Sequence, residues 1–139
     1  MLLNSERVSL LPVAPLLLSL AAPALAQTSF SSRPDYVPAQ IMQTEVALRA
    51  GDIAKAERNA KTVATRLPDQ AIGQRLIGDV ALAKRDYAEA VKAYRVALAR
   101  EEETSGALRV VDAYRRSGNT VGGIEFIESW LKAHPRDTA

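Results

Sequence analysis

Apolar and polar residues follow a helical period along most of the chain, and short turns separate the helical stretches. After an uncharged apolar run at residues 8–25, stretches such as ALAKRDYAEAVKAYRVALAREE place apolar side chains three or four residues apart, which is the spacing of one helix face. Gly, Asp, Asn or Pro interrupts the pattern at regular points. The pattern predicts an all-α fold class with six helices, at residues 37–50, 53–66, 70–84, 87–100, 104–117 and 120–133.

The turns carry residue types that end one helix and begin the next. Gly51 and Gly118 suit the left-handed backbone conformation that commonly follows a helix. Asp52, Asp86 and Asn119 each follow a turn residue, where a side-chain oxygen can accept a hydrogen bond from a free N–H of the next helix. The sequence therefore predicts three sharp turns, each with its own cap.

Further polar residues are expected to set the edges of the middle helices. Asp86 and Glu89 have the spacing of a reciprocal capping box. Asp69, which follows Pro68, is expected to start the third helix. The acidic run 101–103 could suggest a metal site, but successive helical side chains point about 100° apart and cannot converge on one ion. We expect this run to solvate the bend before the fifth helix.

The helical pattern repeats, and this is the most informative property of the sequence. The turn residues Gly51, Arg85 and Gly118 are 34 and 33 residues apart. A helix–turn–helix with this period is typical of a tetratricopeptide (TPR) array. The chain also resembles the TPR pattern of small residues at the eighth and twentieth positions of each repeat: Thr44, Gly78 and Val111, then Ala56, Ala90 and Gly123. The resemblance covers residues 37–136 and implies a short right-handed solenoid of three repeats, at 37–70, 71–103 and 104–136.

The N-terminal segment has the features of an export signal. Its apolar run ends at Ala24-Leu25-Ala26, where small side chains suit cleavage by a signal peptidase. We expect residues 1–26 to be a signal peptide and residues 27–36 a flexible, Ser-rich linker. The alternative is a retained membrane anchor, but the run is near the lower limit for a span and contains three prolines. The expected location is the periplasm or cell envelope of a bacterium, with no stable membrane insertion after cleavage.

Composition narrows the candidate chemistry. The chain of 139 residues has no Cys and one His, which excludes disulfides, thiolate catalysis and a His-pair metal site. A net charge of +2 and an aromatic content of 5% do not indicate nucleic-acid binding. His134, at the end of the last helix, is expected to interact with the helix dipole. We therefore expect no catalytic, cofactor-binding or metal-binding residue, and a protein that is not an enzyme.

A narrower resemblance rests on the amino-acid sequence of the later repeats. GDVALAKRDYAEAVKAYRVALAR, followed by ESWLKAHPRD behind an export signal, resembles the exported TPR proteins of bacterial exosortase/PEP-CTERM and exopolysaccharide systems. Those proteins are described as carrying many repeats and often a lipobox cysteine. This chain has three repeats and no Cys, so membership would make it a shortened relative or a fragment.

The TPR resemblance also implies a binding surface. In a stacked array the first helix of each repeat lines the concave side, and charged and apolar residues at those positions suit an extended peptide or a partner helix. The predicted partner-binding residues on the concave face are Glu45, Arg49, Arg75, Asp79, Leu82, Leu108, Asp112, Arg115 and Arg116. The alternative is that Arg49, Asp79, Asp112 and Arg116 only form ion pairs with one another between neighbouring helices.

The last helix is expected to expose an aromatic patch. Its apolar residues spread over a wide arc, and we expect the part around Phe126 and Trp130 to remain uncovered. Such a patch at a solenoid end indicates a partner, further repeats or a homo-oligomer formed through the C-terminal helix.

These observations favour a non-enzymatic exported scaffold that binds a protein or peptide partner in envelope, exopolysaccharide or PEP-CTERM assembly. The alternative is an accessory or truncated module of a larger cell-wall or polysaccharide enzyme or export complex.

Overall fold

A computed structural model describes residues 36–136, and within that range the chain forms six α-helices and no β-strand. Each helix begins and ends within one residue of its predicted position. The predicted signal peptide and residues 27–35 of the predicted linker lie outside the described residues. The helices are α1 (Val37–Arg49), α2 (Ile53–Arg66), α3 (Ala71–Ala83), α4 (Tyr87–Arg100), α5 (Thr104–Arg116) and α6 (Thr120–Ala133).

The helices form three hairpins that pack in chain order. Each helix contacts the next one along the chain, and α1 also contacts α3. The first helices of successive hairpins therefore lie side by side, and the second helices lie behind them. This order of contacts is the one expected of a repeat array, in which each unit touches only its neighbours.

The turns inside the three hairpins share one backbone geometry. Gly51 and Gly118 have φ angles of 75° and 78°, and Arg85 occupies the same left-handed region with φ 61°. A side chain in this region costs about 1–2 kcal/mol relative to a right-handed conformation, so Arg85 is a strained position that the two glycines avoid.

The expected caps form after each of these turns. Asp52 Oδ1 accepts a hydrogen bond from the Lys55 N–H at 3.0 Å, and Asn119 Oδ1 accepts one from the Gly122 N–H at 2.9 Å. Asp86 Oδ1 accepts from the Glu89 N–H at 3.2 Å. Three of the six helix starts are therefore fixed by residues that the sequence singles out.

Two expectations about helix starts are wrong. Asp86 and Glu89 form only half of a capping box, because the Asp86 N–H donates to the Ala81 carbonyl at 2.9 Å and leaves the Glu89 carboxylate to pair with Lys92 at 3.6 Å. Asp69 does not cap α3, since the residue at that position is Gln70, which makes no side-chain capping bond.

Two apolar cores hold the hairpins together. The N-terminal core consists of Ala47, Ala56, Ala60, Val63, Leu76 and Val80. The C-terminal core consists of Ala81, Ala90, Tyr94, Leu98, Ala107, Val110, Ala113 and Trp130. Alanine is the commonest residue in both, so the helices must approach closely to exclude water.

Glycines mark the closest approaches between helices. A Cβ atom at Gly73 of α3 would lie 2.9 Å from both the Cβ and the backbone nitrogen of Ala64 in α2. A Cβ atom at Gly78 would overlap one edge of the ring of Tyr94 in α4, which is buried. The absence of a side chain at these positions sets how near the helices can lie, between hairpins at Gly73 and within one hairpin at Gly78.

Replacing Gly73 with alanine tests this constraint. We expect Gly73→Ala to lower the free energy of unfolding by about 1–3 kcal/mol, because the new methyl group meets backbone atoms that cannot move aside. Urea denaturation followed by circular dichroism measures the change.

Gly106→Ala is the matched control, because only the terminal methyl group of Leu98 lies in the way, at 2.9 Å. Its cost is offset by the helix propensity of alanine, about 1 kcal/mol better than glycine. An equal loss in both variants would show that the contact with Ala64 does not set the helix spacing.

Candidate functional site

All nine predicted concave residues lie on α1, α3 and α5, the first helices of the three hairpins. We call the surface formed by these nine residues the inner face. The long charged residues of α1 and α5 (Glu45, Arg49, Arg115 and Arg116) are exposed, as is Leu108. The members nearer the core are half-buried: Arg75, Asp79, Leu82 and Asp112. The inner face therefore has a partly buried centre and more exposed ends.

Asp79 lies at the centre of the inner face and joins three helices. Its Oδ1 accepts a hydrogen bond from the Tyr94 hydroxyl of α4 at 2.6 Å and from Arg109 of α5 at 3.0 Å. The Arg109 guanidinium also lies 6.0 Å from the centre of the Tyr94 ring, a cation–π geometry. This network orients Asp79 and links the second and third hairpins.

Burial shifts the ionisation of both acidic groups in this network. It raises the pKa of the Asp79 carboxyl above its ordinary value of 3.8, although the Tyr94 hydrogen bond and the charges of Arg109 and Arg75 oppose the shift. Burial and the neighbouring Asp79 raise the pKa of the Tyr94 hydroxyl, so this hydroxyl remains a donor at neutral pH.

Arg75, which the sequence predicts as a partner-binding residue, already forms ion pairs within the chain. Its guanidinium lies 3.8 Å from Glu101 and 3.7 Å from Glu103. The acidic run therefore pairs across the junction between α3 and α5 besides being solvated. Its middle member, Glu102, lies 3.4 Å from Nε2 of His134.

Asp112 forms its ion pairs within α5. Its two carboxylate oxygens each lie 2.6 Å from a guanidinium nitrogen, one on Arg115 and one on Arg116. Hydrogen bonds from Arg116 and Arg115 lower the pKa of Asp112. The interpretation that the charged residues pair among themselves is right for Asp112 and Arg116, but they pair along one helix and not between helices.

Among the described residues, the acidic and basic groups of α1 on the inner face have no ion-pair partner. Glu45 and Arg49 are both exposed, and the apolar side chain of Leu108 is exposed on α5. Exposed charges at one end of the inner face and an exposed apolar side chain at the other can bind one peptide through both kinds of contact.

Sequence reasoning missed Arg109. It occupies the position at which α3 carries Leu76, which is buried in the N-terminal core. A charge at a position that is apolar in the neighbouring repeat was the available signal. Its carboxylate partner lies 30 residues away and could not be paired with it from spacing alone.

The prediction of an exposed aromatic patch at the C-terminal end is wrong. Trp130 is 8% exposed and belongs to the C-terminal core, and Phe126 is half-buried against the same core. Phe126 occupies the position of Ala93 in α4, and Trp130 occupies the position of Ala97; both alanines are buried. The arc of apolar residues in α6 is wide because both its core side and its outer side are apolar.

Aromatic contacts hold this end of the stack. The Trp130 ring stacks on the His134 imidazole with centroids 3.7 Å apart. Phe126 lies 6.4 Å from Tyr114 and 5.9 Å from the guanidinium of Arg95. The large apolar side chains that are exposed on α6 are aliphatic instead: Val121, Ile124 and Leu131.

The described part of the chain contains no cluster of three or more His, Cys, Asp or Glu residues that could hold a metal ion. None of the six helices has the length and apolar character needed to cross a membrane.

Comparison with known proteins gives one informative similarity. No protein-family model matches the chain. Over 80 residues the chain is 36% identical to "Cellulose synthase operon protein C" of Xanthomonas axonopodis pv. citri (strain 306). The matched segment is 57% of this chain and spans only 5% of the length of that relative. The similarity and the all-helical hairpins are consistent with a TPR-like repeat protein.

The shifted pKa of Asp79 predicts a pH dependence of stability. Between the ordinary value of 3.8 and the raised folded value, the folded state binds more protons than the unfolded state, so stability falls as pH rises. In Asp79→Asn this contribution disappears. We therefore expect the stability of the unmodified chain relative to the variant to decrease from about pH 4 towards neutral pH, measured by urea denaturation.

Asp112→Asn is the control, for which the expected pH dependence has the opposite sign. The pKa of the Asp112 carboxyl is lowered, so the stability that Asp112 contributes is present above the ordinary value of 3.8 and is lost as pH falls through the folded value. The same trend in both variants would contradict the assignment of burial as the dominant effect at Asp79.

Proposed function

We propose that this chain is an exported, non-enzymatic TPR scaffold, a short right-handed solenoid that binds a protein or peptide partner in exopolysaccharide assembly. The observation that carries the proposal is the arrangement of the inner face, where the exposed charges Glu45 and Arg49 at one end and the exposed Leu108 at the other flank a half-buried, hydrogen-bonded centre. A partner that lies along this face would contact all three hairpins.

The hydrogen bonds and ion pairs of that centre support binding. Asp79 is held by both Tyr94 and Arg109, and Arg75 lies between two carboxylates. Because these groups are ordered before a partner arrives, less conformational entropy is lost on binding. Arg115 and Arg116 are exposed and share one carboxylate, so either can turn to an acidic partner at small cost.

The same network supports a role other than catalysis. The one inner-face carboxyl with a raised pKa, Asp79, already accepts hydrogen bonds from Tyr94 and Arg109. These bonds join helices and leave Asp79 poorly placed to take a proton from a substrate. The charged residues thus act in structure and recognition.

The proposed setting in exopolysaccharide assembly rests on the similarity to the cellulose synthase operon protein. The apolar segment that ends at Ala26 supports export to the envelope. Together they favour a partner on the outer side of the cytoplasmic membrane, where exported polymer is handled.

A second candidate is an accessory or truncated module of a larger enzyme or export complex. The chain spans 5% of the relative's length, and both end helices expose apolar side chains. Both observations suit a unit that works beside other repeats.

Photo-cross-linking from the inner face tests the proposed binding site. With p-benzoylphenylalanine in place of Leu108, we expect adducts with a protein of the exopolysaccharide machinery, identified by mass spectrometry in a strain that makes the polymer. Reversing both charges of α1, Glu45→Arg with Arg49→Glu, should reduce these adducts about fivefold, which corresponds to about 1 kcal/mol of binding free energy.

The control places the same probe at Arg58, an exposed residue of α2, and a second control, Glu128→Lys with Lys132→Glu on α6, reverses one exposed charge of each sign four residues apart, as the α1 variant does. The probe at Arg58 should not give the adduct formed at Leu108, and the α6 variant should leave the yield of that adduct unchanged. Equal yields of the same adduct from Arg58 and Leu108 would contradict a specific inner-face site.

Export makes a separate prediction. In a Gram-negative host, the chain should be recovered from the periplasmic fraction with Gln27 as its first residue, because the small residues Ala24 and Ala26 suit the signal peptidase. Intact-mass measurement of each fraction tests this. Ala26→Leu should retain the longer form, and a chain that keeps Met1 in the cytoplasm would contradict export.

A further inference from the structure

We propose that copies of this chain stack head to tail, with α6 of one copy packing against α1 of the next. The packing would repeat the junction that α4 forms with α5 inside the chain. The proposal goes beyond the function proposed above, because it needs no external partner and leaves the inner face open.

The two junctions between hairpins follow one rule. At the first, Ala64 of α2 packs against Gly73 of α3, and at the second, Leu98 of α4 packs against Gly106 of α5. In both cases the second helix of one hairpin supplies an apolar side chain, and the first helix of the next hairpin supplies a glycine, which has no side chain. Both junctions bury apolar side chains around this contact.

The outer side of α6 presents the first half of such a junction. Leu131 occupies the position of Leu98, which is 6% exposed, but is itself 36% exposed. Ile124 occupies the position of Val91, which packs on the C-terminal core, but is 51% exposed. Ile124 also borders a shallow apolar groove of about 150 Å³ between α5 and α6.

The outer side of α1 presents the second half. Ala39 stands at the position of Gly73 and Gly106, so a short side chain is in place to receive Leu131. Met42 and Val46 stand at the positions of Leu76 and Val80, which are buried in the N-terminal core. In α1 they are 67% and 63% exposed.

A second copy fits these two surfaces because α6 supplies the large apolar side chain of the junction and α1 supplies the small residue that receives it. Joining two α6 helices by a symmetry axis would bring long side chains together without the small residue that both internal junctions use. Pairing two α1 helices would leave Leu131 uncovered. Only a head-to-tail contact continues the interface that already exists twice within the chain.

The contact should be weaker than the internal junctions. Gln43 stands where α3 and α5 carry Ile77 and Val110, so a polar side chain lies among the apolar ones. The contact is also heterologous, and such a contact adds copies without closing unless the rotation forms a ring. The average mass should therefore rise gradually with concentration.

Sedimentation equilibrium of the purified chain from Gln27 to Ala139, the form expected after export, tests the proposal. We expect the weight-average mass to grow continuously as protein concentration is raised. Val46→Glu on α1 and Ile124→Glu on α6 should each weaken association at least about tenfold, since a charge on either side would be buried without a partner. Val96→Glu adds the same charge to an exposed valine of α4 and should leave association unchanged.

Mixing the two end variants distinguishes the arrangements. Each variant keeps one intact end, so a head-to-tail contact predicts that each alone is monomeric and that the mixture forms only a one-to-one dimer. Circular dichroism and the denaturation midpoint of every variant establish that it is folded.

Several results would overturn the proposal. If Val46→Glu still dimerises and Ile124→Glu does not, the copies join through α6 alone. If only Val46→Glu prevents association, they join through α1. Unchanged association in both, or a monomer at all concentrations, would show that neither end receives a second copy.

Discussion

The close approach of helices at positions with little or no side chain is the constraint on which the rest of the structure depends. The cores are rich in alanine, and small side chains bury little apolar area each. They exclude water only when backbones lie near one another, as at Gly73, and when one large ring fills the remaining space, as Tyr94 does over Gly78. An added methyl group at such a crossing forces the packed helices apart or strains their backbones.

The same close spacing shapes the inner face. It brings Asp79, Tyr94 and Arg109 from three helices within hydrogen-bond distance, which no single hairpin could do. The charged network is therefore a product of stacking and not of local sequence. This explains why the centre of the face is ordered while Glu45 and Arg49, on the first helix, have no preceding hairpin among the described residues to pair with.

The sequence predicted the helices well because each turn is encoded locally. Gly51, Gly118 and the caps Asp52, Asp86 and Asn119 act within a few residues of themselves. It predicted the side-chain environment less well, because that depends on the distance between hairpins. The apolar arc of α6 taken alone predicts an exposed Trp130, although α4 has a buried alanine, Ala97, at the same position of the repeat. The partners of Arg75 and Arg109 lie in other helices and required the structure.

The position of Trp130 has a practical consequence. It is the only tryptophan of the chain, and it is buried in the C-terminal core, with its ring on His134. Arrays of this kind can lose an end unit before the middle unfolds. Tryptophan fluorescence, excited selectively at wavelengths where tyrosine does not absorb, is thus an endogenous reporter of fraying at the C-terminal end of the stack, and its transition need not coincide with the loss of helix.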